Sequence, residues 1–142
     1  SDVAMPPENE NVFMNANAPM DKQCGINSII ELYHGILPSI IEKDYITFAT
    51  SLNSIQCIGW NSIEMLLQKE TTLSALKMLW ERNFAVAISS FGPVLSVIHF
   101  ANETPIIMQV AKECGLSYSG PYNVIDKHSI ANPYNPFIKI EE

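Results

Sequence analysis

Cys24 is the residue in this 142-residue sequence whose neighbours best suit a chemical reaction. Apolar side chains follow it at positions 26, 29, 30 and 33, which is the spacing of an amphipathic helix packed on a core. The thiol therefore lies at or just before the first turn of a predicted helix, where free N–H groups and the helix dipole favour an anion such as a thiolate. Gly25 leaves room for a substrate backbone, and Gly35 is expected to end the helix in a left-handed C-cap. A small buried cysteine without chemistry is the alternative interpretation.

Three histidines are candidates for the base that a cysteine nucleophile needs. His34 lies ten residues along the same predicted helix, roughly 15 Å from the thiol at 1.5 Å per residue, which is too far for proton transfer. His99 lies on a predicted strand 75 residues after Cys24, and His128 lies in a polar loop with Asp126. A structural strand histidine and a solvated loop histidine are the alternatives, so the residues alone leave the base open.

The charge and the cysteine content argue against several other kinds of site. The net charge is −7 and Arg82 is the only arginine, which disfavours nucleic acid and anionic membrane surfaces. The cysteines at 24, 57 and 114 form no CxxC pair, so neither zinc nor a disulfide framework is predicted, although one Cys57–Cys114 disulfide stays open. No phosphate-binding loop is present, and we expect no metal and no cofactor. No apolar run reaches the length of a membrane span, so no membrane insertion is expected.

The first half of the sequence is predicted to be helical after an extended N-terminal arm. Residues 1–16 contain Pro6 and Pro7 and show no helical period, which predicts the arm. A second helix is predicted to begin at Pro38 and to continue through residue 52, followed by a turn over residues 53–59. A short third helix covers residues 60–67, and a fourth helix, capped by Thr71 or Thr72, reaches residue 80.

The pattern changes after residue 83 from helical to strand-like. Residues 84–88 and 94–100 are each predicted to form a strand. Residues 106–110 fit a strand, whereas Pro105 and Gly115 would bound a helix over residues 105–114. Residues 124–125 and 137–140 supply further short strands. Helices first and strands later predict an α+β fold of one domain, with a helical half packed on a small antiparallel sheet.

Two short segments resemble papain-like cysteine peptidases. The segment Gln23-Cys24-Gly25, with the apolar helix that ends in Tyr33-His34-Gly35, resembles their nucleophile helix and is nearest to the peptidases that process bacteriocin leaders. The segment Asn132-Pro133-Tyr134-Asn135-Pro136 resembles the Asp-Pro segment that closes the catalytic part of that family. The resemblance covers residues 17 to 136 and implies a papain-like fold for a hydrolase domain over residues 17–142. It also favours a strand over a helix for residues 106–110.

The resemblance implies a role for each candidate residue. Cys24 would attack a carbonyl carbon, His99 would serve as base and acid, and His128 is its rival. Asn132 would orient the histidine, and Asp126 and Glu113 are alternative candidates for this role. Asn132 follows His99 by 33 residues, which is longer than the usual hairpin of the family.

The oxyanion hole is the part of the site where this sequence departs from the family. Ala18 stands six residues before Cys24, where the family places a glutamine. Asn17 is therefore predicted to supply the donor, together with the backbone N–H of Cys24.

Two classes of function follow from these observations. The first is a cysteine hydrolase that cleaves a peptide or amide bond in a peptide or protein substrate; the same machinery deamidates glutamine or transfers acyl groups. A stand-alone domain of this size also fits a secreted effector or toxin. The second is a peptidase-like domain without catalysis that binds a peptide or a partner, and the irregular oxyanion residue and the long gap before Asn132 favour it. The substrate, the compartment and the oligomeric state are left open.

Overall fold

The computed structural model describes residues 7–89 and 93–122, and these residues form α-helices and one two-stranded sheet. The strands are β1 (Ala85–Ile88) and β2 (Leu95–Ile98). A π-helical segment covers Glu31–Ile36, and a 3-10 turn covers Ala101–Glu103. In chain order the helices are α1 (Pro7–Asn17), α2 (Lys22–Ile30), α3 (Leu37–Glu42), α4 (Tyr45–Gln56), α5 (Gly59–Leu66), α6 (Glu70–Trp80) and α7 (Thr104–Glu113). The fold is an α+β mixture dominated by helices, which confirms the predicted class.

Helix α1 corrects the prediction that residues 1–16 form an extended arm. Pro7 is the first helical residue, where the missing N–H of proline costs no hydrogen bond. Glu8 and Glu10 lie in the first turn, where carboxylates interact favourably with the helix dipole. The prolines therefore mark the start of a helix and not an extended segment. Residues 1–6 lie outside the described residues.

A continuous helix runs from Lys22 through the π-helical segment to Glu42. Asp21 begins it, because its carboxylate accepts a hydrogen bond from the backbone N–H of Gln23 at 3.0 Å. The prediction of a C-cap at Gly35 is wrong, since the backbone stays helical beyond that residue. The helix ends at Lys43, which adopts the left-handed conformation with φ of 59°.

The continuous helix bears on the expectation about membrane-spanning segments. Its 21 residues make it the one helix in the described part of the chain that is long and apolar enough, by length and composition alone, to cross a membrane. Asn27, Ser28 and Glu31 interrupt the apolar run within it, and the expectation of no membrane insertion stays a prediction. One side of this helix lies against α4, and its buried residues there are Gly35 and Ser39.

Small residues allow the continuous helix and α4 to approach closely. Gly35 faces Ser51 of α4, and a Cβ atom added at Gly35 would overlap the Ser51 side chain. Ala49 and Ser51 are the small residues that α4 buries. Gly35 is therefore a packing residue, where only a hydrogen atom fits.

Asp44 separates α3 from α4 and corrects the prediction of one helix from Pro38 to residue 52. Its carboxylate accepts hydrogen bonds from the Oγ1 of Thr47 at 2.6 Å and from the N–H of Thr47 at 3.1 Å, which is N-cap geometry. These hydrogen bonds, the hydroxyl first, lower the pKa of Asp44. Helix α4 then reaches Gln56, so the turn predicted over residues 53–59 is much shorter.

The third and fourth predicted helices are both present, but the N-cap predicted for the fourth helix is wrong. Helix α5 occupies most of the predicted residues 60–67. Helix α6 begins at Glu70, so Thr71 and Thr72 lie inside the helix and neither is its N-cap.

The two strands confirm the predictions for residues 84–88 and 94–100. They pair antiparallel, with Ala85 opposite Ile98 and Ile88 opposite Leu95. Strands 124–125 and 137–140 were also predicted, and they lie outside the described residues.

Residues 106–110 form part of helix α7 and not the predicted strand. Pro105 lies in the first turn, where proline is tolerated. Ile107 and Val110 are three residues apart and are both buried, which is a helical repeat. The preference for a strand came from the family resemblance, and the cap residues had indicated the helix correctly.

The core lies between α6, α7 and β1. Its members are buried apolar side chains from these three elements and the residue before β1: Ala75, Leu76, Leu79, Phe84, Val86, Ile107 and Val110. Helix α6 packs against both α7 and β1, and burial of these side chains supplies the main stabilising term of the domain.

Side chains of α4 satisfy backbone groups along β1. The amide of Asn53 donates to the carbonyl oxygen of Phe84 at 2.8 Å, and its oxygen accepts from the N–H of Val86 at 2.9 Å. Gln56 accepts from the N–H of Ile88 at 3.2 Å. These bonds replace the strand that would otherwise pair with this edge of the sheet.

Tyr45, at the start of α4, binds the opposite end of both strands. Its hydroxyl accepts from the N–H of Ala85 at 3.1 Å and donates to the carbonyl oxygen of Ile98 at 2.6 Å. Its ring packs on Phe100 with 5.2 Å between the ring centroids. Burial of the hydroxyl raises the pKa of Tyr45 above its ordinary value, and the bond from Ala85 partly offsets this. Helix α4 therefore runs along the sheet, with Tyr45 and Gln56 at its two ends.

Candidate functional site

Cys24 lies in the first turn of α2, as the sequence predicted. Its thiol is free and half-buried beside Gly59, where an added Cβ would lie 3.4 Å from the Cβ of Cys24 and 3.8 Å from the Cε of Met20. The backbone N–H of Cys24 donates to the carbonyl oxygen of Asp21 at 3.0 Å. This donor was predicted to bind an oxyanion, and the turn that begins the helix already uses it. The carboxylate of Asp21 satisfies the N–H before it in the chain, so an anion already occupies part of this helix terminus.

His99 follows β2 and makes a local hydrogen bond. Its Nδ1 lies 2.8 Å from the carbonyl oxygen of Phe100. A carbonyl accepts only, so this contact places the proton on Nδ1. His99 thereby resembles a structural histidine at a strand end, which was the alternative interpretation of this residue.

The structure does not bring Cys24 and His99 together. Cys24 lies beside Gly59, beyond the last residue of α4, whereas His99 follows Ile98, whose carbonyl is bound by Tyr45 at the first residue of α4. The 12 residues of α4 span about 18 Å at 1.5 Å per residue. No hydrogen bond joins the Cys24 thiol to His99 within residues 7–89 and 93–122. The geometry therefore gives no support to His99 as the base for Cys24.

The other predicted site residues are used elsewhere or lie outside the description. Asn17, the predicted oxyanion donor, ends α1, and its Nδ2 donates to the carbonyl oxygen of Phe13 at 2.8 Å. Glu113 ends α7 and accepts from Gln109 at 2.7 Å. His34 is exposed in the π-helical segment. Three more predicted site residues lie outside the described residues, and they are Asp126, His128 and Asn132.

No metal site and no disulfide are found in the part of the chain that the structure describes. Groups of three or more His, Cys, Asp or Glu side chains that could hold a metal ion are absent there. Cys57 and Cys114 are both free, so the disulfide left open between them does not form. A cavity of about 270 Å³ beside α7 is lined by residues that include neither Cys24 nor His99, namely Arg82, Pro105, Ile106, Gln109, Val110 and Glu113.

The largest feature that the predicted catalytic residues do not explain is an exposed apolar face on the continuous helix. We call this face the apolar stripe, and its members are Ile26, Ile29, Ile30, Tyr33, Leu37, Ile40 and Ile41. Each of these side chains is at least two-fifths exposed, and the exposed fraction reaches 60% at Tyr33 and 80% at Ile41. The stripe extends roughly 23 Å along the helix at 1.5 Å per residue. Single exposed apolar residues are ordinary, but a continuous exposed face usually marks an interaction site.

The position of the stripe corrects the prediction that residues 26, 29, 30 and 33 pack on the core. The helix turns its opposite side toward α4, and the contact is made by Gly35 and Ser39. The repeat of apolar residues indicated that the helix has an apolar face, but not whether that face is turned toward the core or toward solvent. The signal that sequence reasoning missed is the pair of small residues four positions apart, since small residues permit the closest approach of two helices.

Comparison with known proteins adds no relative. No family model matches the sequence, and neither a curated protein nor a solved structure matches it.

Proposed function

We propose that this domain is a protein-binding module that contacts another protein chain through the apolar stripe. The observation that carries the proposal is the exposure of seven large apolar side chains along one helix, whose buried residues Gly35 and Ser39 lie against α4. Removal of apolar surface from water is favourable by about 25 cal/mol for each Å². Burial of the stripe under a partner therefore contributes favourably to the free energy of association.

A helix of a partner chain fits the stripe best. The stripe follows a single helix from Ile26 to Ile41, and a second helix packed along it would cover all of its members. Between Ile26 and Ile41 the chain has one acidic residue, Glu31, which is half-buried, and one histidine, His34, which is exposed. A partner therefore needs a complementary apolar face, with polar groups only at its margins.

Site-specific photo-crosslinking tests the proposal in cells that express the full chain. A photoreactive residue replaces Tyr33 in one variant and Ile41 in another, and Lys77, which is exposed on α6, is replaced in the control. We expect crosslinks to a protein chain from both stripe positions and none from the control. Crosslinks to lipid alone, or equal capture from all three positions, would overturn the proposal.

A second candidate function is the papain-like cysteine hydrolase, including a deamidase or acyltransferase. Its support is that the free thiol of Cys24 lies in the first turn of α2, next to Gly25, where no atom lies within 4 Å of an added Cβ. A substrate backbone has room to approach the sulfur there. Since His99 lies toward the other end of α4, this candidate requires His128 as its base.

Competitive alkylation with iodoacetamide tests the second candidate, with each labelled cysteine mapped by mass spectrometry. Cys57 is the internal control, because its thiol is more exposed than the half-buried thiol of Cys24. Accessibility alone would therefore make Cys57 react first. A catalytic thiolate would make Cys24 react faster than Cys57 near neutral pH, and His128→Ala would abolish the difference whereas His99→Ala would not. Reaction in the order of exposure, with Cys57 first, would exclude the hydrolase.

A further inference from the structure

We propose that residues 137–140 of this chain bind along the outer edge of β2 and form a third strand of the sheet. The outer edge is the side of β2 that faces away from β1, and it is a different surface from the apolar stripe. Three observations carry the inference, namely the direction of the backbone groups of β2, the lack of charges along that strand, and the sequence that follows the described residues.

The backbone groups of Leu95 and Val97 point away from β1. The N–H groups of Val86 and Ile88 donate to side chains of α4, so these two residues of β1 turn their backbone groups away from β2. Their register partners are Val97 and Leu95, which therefore belong to the non-hydrogen-bonded pairs of the ladder. In the described part of the chain, the backbone groups of Leu95 and Val97 make no hydrogen bond. The outer edge thus offers two donors and two acceptors to an extended segment.

Strand β2 carries none of the features by which proteins usually protect an open edge. Such edges carry a lysine or another charge, a proline or a bulge, each of which prevents a further strand from pairing. Residues 94–100 contain no Asp, Glu, Lys, Arg or Pro, and the four described pairs of the ladder contain no bulge. The opposite edge of the sheet is occupied by Asn53 and Gln56 of α4. The protein therefore closes one edge and leaves the other ready to accept a strand.

The two faces of β2 set the side-chain pattern that an added strand needs. Leu95 and Val97 are half-buried and pack against the core, whereas Ser96 and Ile98 are exposed. Residues directly opposite each other on neighbouring strands lie on the same face of the sheet. An added strand therefore needs two apolar residues, two positions apart, beside Leu95 and Val97. The residue between them faces water beside Ser96.

Residues 137–140 lie outside the described residues, and their sequence has this pattern. Ile138 and Ile140 are the only two Ile, Leu, Val, Phe or Met residues two positions apart within residues 123–142. Lys139 stands between them, and its side chain suits the face exposed to water. The pairing places both isoleucines on the core face of the sheet and removes their apolar surface from water.

The length of the chain allows residues 137–140 to reach β2. Leu116 and Tyr118 pack against the same core as the half-buried side chains of β2, so the chain leaves the described residues close to that core. Residues 123–136 can then span up to about 46 Å at roughly 3.3 Å per residue. A domain of this length has a radius of gyration of about 14 Å, so the connection is long enough to reach any part of it.

Hydrogen exchange of single backbone amides, measured by NMR on the full chain, tests the proposal. The N–H groups of Leu95 and Val97 are expected to be protected in the wild-type chain. Ile138→Asp combined with Ile140→Asp places two carboxylates against the core face and is expected to speed exchange at both amides about 10-fold or more.

Two controls separate the loss of the third strand from a general loss of stability. Lys139→Gln alters only the face exposed to water and is expected to leave the exchange at Leu95 and Val97 unchanged. The N–H of Ser96 points toward β1, opposite Ala87, and is expected to stay protected in every variant. Nuclear Overhauser effects between backbone protons of residues 95–97 and 138–140 are expected in the wild-type chain and identify the added strand directly.

Three results would overturn the proposal. They are fast exchange at Leu95 and Val97 in the wild-type chain, protection that the double variant retains, and protection that rises with protein concentration through contacts between chains. The last result would assign the outer edge of β2 to a second copy. The binding module stands or falls separately, because its photo-crosslinks are measured on the apolar stripe.

Discussion

Asn53 offers the sharpest test of how α4 holds the sheet. Asn53→Ala removes both hydrogen bonds between its amide and β1, and leaves the carbonyl of Phe84 and the N–H of Val86 without partners. Both residues are buried, with exposed fractions of 3% and 0%, so water does not replace the lost bonds. An unsatisfied buried backbone group costs about 1–3 kcal/mol, so two of them give about 2–6 kcal/mol. That is a large share of the roughly 5–15 kcal/mol by which domains are stable.

Urea unfolding of a graded series measures this loss. Thr50→Ala is the matched control on the exposed side of α4, where the Thr50 hydroxyl bonds only to its own helix, and it is expected to cost less than about 0.5 kcal/mol. Gln56→Ala breaks one bond to the strand and is expected to cost about 1 kcal/mol. Asn53→Ala is expected to lower Tm by about 10 °C and to reduce hydrogen-exchange protection at Val86. An Asn53→Ala variant as stable as the Thr50→Ala control would refute the role of α4 as a substitute strand.

Three further changes test other contacts of the same framework. Gly35→Ala is expected to destabilise the domain by about 1–3 kcal/mol in urea unfolding because of overlap with Ser51, and Ser51→Gly in the same chain should recover most of that loss. Burial raises the pKa of Tyr45, so its share of the stability is complete below pH of about 10 and falls as the pH rises through the folded value; Tyr45→Phe should remove this alkaline decline in unfolding free energy. The pKa of Asp44 is lowered by Thr47, so its contribution is complete above pH of about 4 and is lost as the pH falls through the folded value; the unfolding midpoint of Asp44→Asn should vary less with pH in that range than the wild-type midpoint does.

The candidate site shows where sequence reasoning reached its limit. Cys24 was placed correctly at a helix start, because a first turn depends on residues adjacent in the chain, and the structure adds Asp21 as the cap of that helix. The distance between Cys24 and His99 depends on the direction of α4 and on which strand end Tyr45 binds. No local pattern carries that information, so the family resemblance supplied a pairing that the described geometry does not reproduce.

The sequence by itself determined the helix that follows Cys24, the helices over residues 60–67 and up to residue 80, the two strands and the existence of an apolar face, since periodicity acts over a few residues. Only the tertiary structure decided that Gly35 is a packing residue and that the stripe faces outward. The physical reason is that the stability of a helix–helix contact depends on how closely the two backbones approach as well as on the apolar area that is buried. At this contact the small residues Gly35 and Ser51 meet, and the isoleucines are left on the exposed side of the helix.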